Sequence, residues 1–123
     1  MKSIYALLTV ISECTSSSTQ PNISIYTITN NKYVRVPLYV THNNNDTYSY
    51  YEYNVLVNKY NYNDLVDIFI KMIYSDKEMF AIINNYLLDQ TDEAAIAEFN
   101  EMQNVRREAK DLAKHILTEY PLN

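Results

Sequence analysis

The residues of this chain that could do chemistry are few and stand far apart. His42 and Asp46 lie four positions apart in a polar stretch, and Asp111 and His115 have the spacing of neighbours on one side of a helix. Either pair could supply two ligands to a metal ion, whereas catalytic zinc uses three protein ligands. The sequence places no third candidate nearby, so we expect neither a metal site nor a catalytic site built on these pairs.

Nucleophilic and acid–base catalysis have equally little support. Cys14 is the only cysteine and lies in a Ser/Thr-rich stretch, whereas a catalytic cysteine needs a positioned base beside it. The carboxylates are scattered, with no pair flanked by apolar residues that would raise the pKa of one member. A single cysteine also forms no internal disulfide. We therefore expect that the protein is not an enzyme.

The chain of 123 residues contains no glycine, although average usage predicts about nine. Glycine-rich phosphate loops, dinucleotide-binding turns and nucleophile elbows all need glycine for close backbone approach or a strained turn. We therefore expect no cofactor and no small-molecule substrate. The net charge of -5 disfavours a nucleic-acid partner, and no apolar run is long enough to predict a membrane partner.

Composition also bears on the source of the protein. The chain has 13 tyrosines and no tryptophan, and it is rich in asparagine and isoleucine. Asparagine, tyrosine, isoleucine and lysine have A+T-rich codons, and glycine has G-rich codons. The composition therefore indicates a virus, a phage or a bacterium with an A+T-rich genome.

The strongest structural signal is the pair Asn30-Asn31 between two alternating apolar runs. A two-residue loop of this kind predicts a β-hairpin, because asparagine tolerates the positive φ angles of a tight turn. Pro37 would then direct its nitrogen away from the partner strand, so the second strand is an edge there or carries a bulge. The predicted register opposes Ile23 to Leu38, Ile25 to Val36, Thr27 to Val34, Tyr26 to Arg35 and Ile28 to Tyr33.

The remaining elements follow from hydrophobic periodicity. We expect a first strand over residues 3–11, a Ser/Thr loop over 13–21 and a fourth strand over 48–59. Helices are predicted from residue 61 or 63 to about 74, over 76–88 with a capping box at Ser75 and Glu78, and over 92–119 with Thr91 as N-cap. At 1.5 Å per residue, the last helix would be about 40 Å long.

These elements predict one α+β domain over residues 1–123, mainly β over 1–60 and mainly α over 61–120. Its four-stranded antiparallel sheet, a meander containing the Asn30-Asn31 hairpin, would be followed by three helices packed on one face, the last of them long. The opposite face of the sheet would be rich in tyrosine, a residue that recurs at protein interfaces. As a partner interface we predict Tyr26, Tyr33, Arg35, Tyr39, Tyr48 and Tyr50.

Three functions remain open from the sequence. The first is a non-enzymatic structural or assembly protein of a phage or virus, located in the host cytoplasm or the virion and bound to a protein partner or to itself. The second is a small acidic phage-encoded inhibitor of a host defence or nucleic-acid enzyme. The third is a secreted lipoprotein, since residues 1–13 resemble a short signal peptide before Cys14, although Glu13 stands where a small residue is expected.

Overall fold

The computed structural model describes residues 2–122 and has an α+β fold. The predicted class is confirmed: a four-stranded antiparallel sheet is followed by helices, of which the last is long. The chain has one helix more than predicted, at its start. In order, the elements are α1 (Ile4–Ile11), β1 (Glu13–Ser17), β2 (Ser24–Ile28), β3 (Asn31–His42), β4 (Tyr48–Leu56), a 3₁₀ turn (Val57–Lys59), α2 (Tyr62–Lys71), α3 (Asp76–Leu88) and α4 (Glu93–Glu119).

The predicted hairpin exists, but its loop lies one residue earlier than expected. Ile28 pairs with Asn31, so the loop is Thr29-Asn30 and not Asn30-Asn31. The positive φ of 57° is at Thr29, the first loop position, as in a type II′ turn. The predicted pairing was therefore wrong by two residues, and Tyr26 lies opposite Tyr33. Because side chains alternate with a period of two, this shift leaves every side chain on its predicted face.

Pro37 and the bulge beside it have a different role from the one predicted. In the observed register Ser24 and Arg35 form a hydrogen-bonded pair of β2 and β3. Residue 37, two positions after Arg35, therefore also directs its backbone nitrogen toward the β2 side, and in proline this nitrogen carries no hydrogen to donate. β2 begins at Ser24, beyond the reach of that position. Pro37 itself pairs regularly with Glu52, so the edge or bulge predicted at that position is wrong; a bulge occurs farther along β3, where the register with β4 shifts between Leu38 and Thr41.

Residues 3–11, predicted to be a strand, instead form helix α1. Ile4 and Leu8, one helical turn apart, are fully buried, whereas Val10 and Ile11 are exposed. The carboxylate of Glu108 accepts hydrogen bonds from the backbone N–H of Ile4 at 3.0 Å and from the hydroxyl of Ser3 at 3.1 Å. This distant carboxylate caps the helix, since the first N–H groups of a helix have no partner within it.

The first strand lies in the segment predicted to be a Ser/Thr loop. β1 pairs with β4 rather than with β2, so the order of strands in the sheet is β1-β4-β3-β2. Only β2, β3 and β4 follow one another as a meander. The connection from β1 to β2, residues 18–23, therefore runs from one edge of the sheet to the other.

The three later helices lie close to their predicted positions. α3 spans Asp76–Leu88 as predicted, and its capping box is complete: Ser75 Oγ accepts from the Glu78 N–H at 3.1 Å, and the Glu78 carboxylate accepts from the Ser75 N–H at 3.2 Å. α4 begins one residue later than predicted. Its N-cap is Asp92 rather than Thr91, since Asp92 Oδ1 accepts from the N–H groups of Ala94 and Ala95 at 2.9 and 3.2 Å.

Backbone contacts divide the described chain into two compact units, so the single-domain expectation stays a prediction. One unit consists of residues 2–4 with Tyr62–Lys114, and its fully buried side chains are Ile4, Leu65, Phe69, Tyr74, Met102, Val105, Ala109 and Ala113. The other consists of Tyr5–Asn61 with residues 115–122, and it contains the whole sheet. Its fully buried side chains are Leu8, Val34, Val36 and Ile116.

Candidate functional site

The sheet places five of the six predicted interface residues on one face. Tyr26 of β2 lies opposite Tyr33 of β3, and Arg35 follows two positions along β3 on the same side. Asn54 of β4 is paired with Arg35, and Tyr48 and Tyr50 lie six and four positions before Asn54. Because side chains of a strand share a face at every second position, both tyrosines lie on the face that carries Arg35. We call this the polar face, because Val34, Val36 and Leu38 are buried on the other side.

Tyr39 is the exception, and its predicted place on this face was wrong. Its backbone φ of 56° lies at the bulge, where Tyr39 and Val40 together oppose one residue of β4. The extra residue turns the Tyr39 ring to the apolar side, where it meets the edges of Tyr5 and Tyr51 at centroid distances of 6.2 and 6.1 Å. A bulge of one residue reverses the alternation locally, and no sequence signal marks Tyr39 as its position.

Tyr26, Tyr33 and Arg35 form a three-layer cluster that we call the tyrosine patch. The rings of Tyr26 and Tyr33 are stacked at 5.5 Å with 20° between their planes, and the Arg35 guanidinium lies 4.4 Å from the centre of the Tyr26 ring. All three side chains are half-buried. Stacking and cation–π contacts each contribute about 0.5–1.5 kcal/mol. The contacts hold large aromatic surfaces in one orientation before any partner arrives.

Arg35 keeps most of its hydrogen-bonding capacity. Its Nε lies 3.8 Å from Oε2 of Glu52, an ion pair too long for a hydrogen bond, and its side chain is 43% exposed. A guanidinium has five N–H donors. Arg35 can therefore add hydrogen bonds to a carboxylate or carbonyl of a partner without giving up its place on Tyr26.

A shallow open cavity of about 250 Å³ adjoins the tyrosine patch. It lies where the connection from β1 to β2 crosses the polar face. Pro37 is on the same face as Arg35 and is nevertheless buried, because this connection covers it. Sequence reasoning missed this cavity because it assigned the first strand to residues 3–11. The lining residues are Ser17, Thr19, Gln20, Pro21, Asn22, Ser24, Arg35, Pro37, Tyr50 and Glu52.

Tyr48 lies away from the tyrosine patch, at the other end of β4. Its ring is stacked on His42 at 4.5 Å with 9° between the planes, and His42 Nε2 lies 3.3 Å from Asp46 Oδ1. The pair His42 and Asp46 thus meets as its spacing suggested. The two side chains are 56% and 94% exposed. The pair therefore lies in a solvated turn at the end of the hairpin formed by β3 and β4.

The remaining chemical candidates are distributed as follows. Cys14 is exposed on β1, paired with Tyr51 of β4. Within residues 2–122, no three His, Cys, Asp or Glu side chains come together in a group that could hold a metal ion. Nor does any helix in that range combine the length and apolar character that crossing a bilayer requires.

Comparison with known proteins identifies no related family. No family model matches the chain, and the searches of curated proteins and of solved structures give no match either.

Proposed function

We propose that the protein is a non-enzymatic structural or assembly protein of a virus or phage, and that it acts by binding other protein chains through the tyrosine patch. The observation that carries the proposal is the stacked, half-exposed group of Tyr26, Tyr33 and Arg35 on a sheet face. Tyrosine and arginine are enriched among the residues that dominate binding energy at protein interfaces. Side chains already held in place lose less conformational entropy on binding.

Composition supports the viral source in this proposal. A chain with no glycine and 13 tyrosines among 123 residues departs strongly from average usage. A virus or phage with an A+T-rich genome would encode such a chain, because the codons for asparagine, tyrosine, isoleucine and lysine are A+T-rich.

The acidic side chains favour an assembly role over the acidic inhibitor. An inhibitor that imitates phosphates needs carboxylates free on one surface. Glu108 instead accepts hydrogen bonds from Ser3 and Ile4, and Glu101 accepts one from the N–H of Lys2 at 3.5 Å. Glu78 caps α3 through Ser75. Three of the 15 acidic side chains therefore have partners within the protein itself.

The proposal is tested by identifying the chain that co-purifies with the protein from its native source and measuring its affinity for defined variants. Tyr33→Ala and Arg35→Glu should each weaken binding about tenfold or more, which corresponds to about 1.4 kcal/mol. Tyr62→Ala on α2 and Arg107→Glu on α4 are the matched controls, and both should bind as the unaltered protein does.

Circular dichroism establishes first that each variant is folded. The proposal is wrong if both patch variants keep the original affinity, or if the α2 and α4 variants lose as much affinity as they do.

A further inference from the structure

The outer edge of β2 carries an unusual combination of features. Among the strands of residues 2–122, β2 is the last in the sheet order, so one of its sides has no neighbouring strand from this part of the chain. Its five residues, Ser-Ile-Tyr-Thr-Ile, include no charge and no proline, and Ile25 and Ile28 are 54% and 57% exposed. Edge strands are usually protected by lysine, proline or a bulge. The opposite edge, β1, has the sequence Glu-Cys-Thr-Ser-Ser and offers no large aliphatic side chain.

The hairpin register determines which backbone groups of β2 remain unpaired. A two-residue loop closes on a hydrogen-bonded pair, here Ile28 with Asn31. Hydrogen-bonded pairs then alternate along the ladder, so Tyr26 and Ser24 also direct their N–H and C=O groups to β3. Ile25 and Thr27 therefore direct theirs outward, ready to pair with another strand.

We infer that this edge pairs with β2 of a second copy of the chain, antiparallel and about a two-fold axis at Tyr26. Ile25 of each copy then pairs with Thr27 of the other, which forms four backbone hydrogen bonds and joins the two sheets into one. The inference rests on the proposed function and names one of its partners. Despite the net charge of -5, this pairing opposes no like charges, because β2 carries none.

The tyrosine patch is the reason for choosing this register. Tyr26 would face the Tyr26 of the second copy in a non-hydrogen-bonded pair, where opposed Cα atoms are about 4.5 Å apart. Since the Tyr26 ring already stacks on Tyr33 at 5.5 Å and carries Arg35 at 4.4 Å, the pairing brings the two tyrosine patches side by side across the two-fold axis. A contact between strands of five residues is small, so the dimer should be reversible and concentration-dependent.

The register is tested by disulfide formation in a Cys14→Ser background, which removes the native thiol. In this background Tyr26→Cys should form a covalent dimer under mild oxidation, because residue 26 opposes itself. Thr27→Cys opposes Ile25, and Thr15→Cys lies on the other edge, so both should form little disulfide-linked dimer. Equal cross-linking of all three variants, or none at Tyr26→Cys, would overturn the inference.

A second measurement keeps the Tyr26 side chain intact. In sedimentation velocity, the unaltered protein and Thr27→Ala should show a dimer fraction that rises with concentration, whereas Thr27→Pro should remain monomeric because it lacks the outward donor. An unaltered protein that is monomeric at every concentration contradicts the inference. So does a Thr27→Pro protein that still dimerises, as it would through the exposed Phe80, Leu87 and Leu88 of α3.

The two proposals fail separately. Thr27→Pro removes the edge pairing and leaves Tyr33 and Arg35 in place, so loss of the dimer alone leaves the affinity for a co-purifying chain unchanged.

Discussion

At the scale of single residues, the absence of glycine has a direct structural cost. Positive φ angles occur at Thr29, Tyr39 and Asp46, with values of 57°, 56° and 61°. Glycine ordinarily occupies such positions, because a Cβ atom costs roughly 1–2 kcal/mol in the left-handed region. Asp46 tolerates this conformation, whereas β-branched Thr29 and bulky Tyr39 do not. The bulge at Tyr39 is compensated by its two aromatic contacts, whereas threonine at position 29 has no ring to make such contacts.

Thr29→Gly should therefore stabilise the protein. We expect the free energy of unfolding to rise by about 0.5–1 kcal/mol, since relief of the backbone strain exceeds the entropy that glycine adds to the unfolded chain. Thr27→Gly, two positions earlier and inside β2, is the matched control and should lower the stability. Urea denaturation of the three proteins measures this. A Thr29→Gly protein that is less stable than the original would contradict the account of the turn.

Tyr60 gives a second prediction at this scale. Its hydroxyl donates a hydrogen bond to the backbone carbonyl of Tyr120 at 2.7 Å, and burial, with a smaller contribution from the nearby Tyr120 side chain, raises the pKa of Tyr60 to about 12. In the unfolded chain a tyrosine ionises near pH 10. Ionisation therefore favours unfolding, and the stabilising contribution of the neutral side chain, complete below pH 10, is lost as the pH rises toward 12.

Tyr60→Phe should be less stable than the original by about 1 kcal/mol at neutral pH, because it lacks the hydrogen bond. The stability difference should stay constant up to pH 10 and then shrink up to pH 12, since only the original protein has this proton to lose. Thermal melting of both proteins across that range measures the difference. A difference that stays constant up to pH 12 would show that Tyr60 ionises equally easily in both states.

At the scale of elements, the sequence predicted the position of a helix or strand correctly where the contacts that stabilise it are between residues close together in the chain. The capping box of α3 joins Ser75 to Glu78, three residues apart, and the sequence placed both ends of that helix correctly. The start of α1 at Ile4 is capped by Glu108, about a hundred residues away, and no pattern within residues 3–11 reveals this contact. The loop position at Thr29-Asn30 could not be read from alternation, because a register shift of two residues gives the same apolar face.

The role of Glu108 is testable at this scale. Glu108→Ala removes the acceptor for the Ile4 N–H and the Ser3 hydroxyl, so we expect the free energy of unfolding to fall by about 1–3 kcal/mol. Asp111→Ala, three residues later on an exposed position of α4, should have little effect. Denaturant unfolding and hydrogen exchange at residues 4–8 measure the change. If the two variants are equally stable, the carboxylate does not hold the start of α1.

At the scale of the whole molecule, the proposed binding surfaces all lie in one of the two compact units. The unit that contains the sheet carries the tyrosine patch, the neighbouring cavity and the open edge of β2. The tyrosine-rich polar face was predictable, because alternation alone assigned Tyr26, Tyr33 and Arg35 to it. The cavity and the open edge were not, since they follow from the pairing of β1 with β4.

The most direct test of the central claim is hydroxyl-radical footprinting of the protein in its native assembly, compared with the isolated chain. The account predicts that Tyr26 and Tyr33 become protected from oxidation in the assembly, while exposed Tyr62 on α2 reacts at the same rate in both. Unchanged oxidation of Tyr26 and Tyr33, with protection found at other residues, would contradict the claim that this sheet face binds the partner chains.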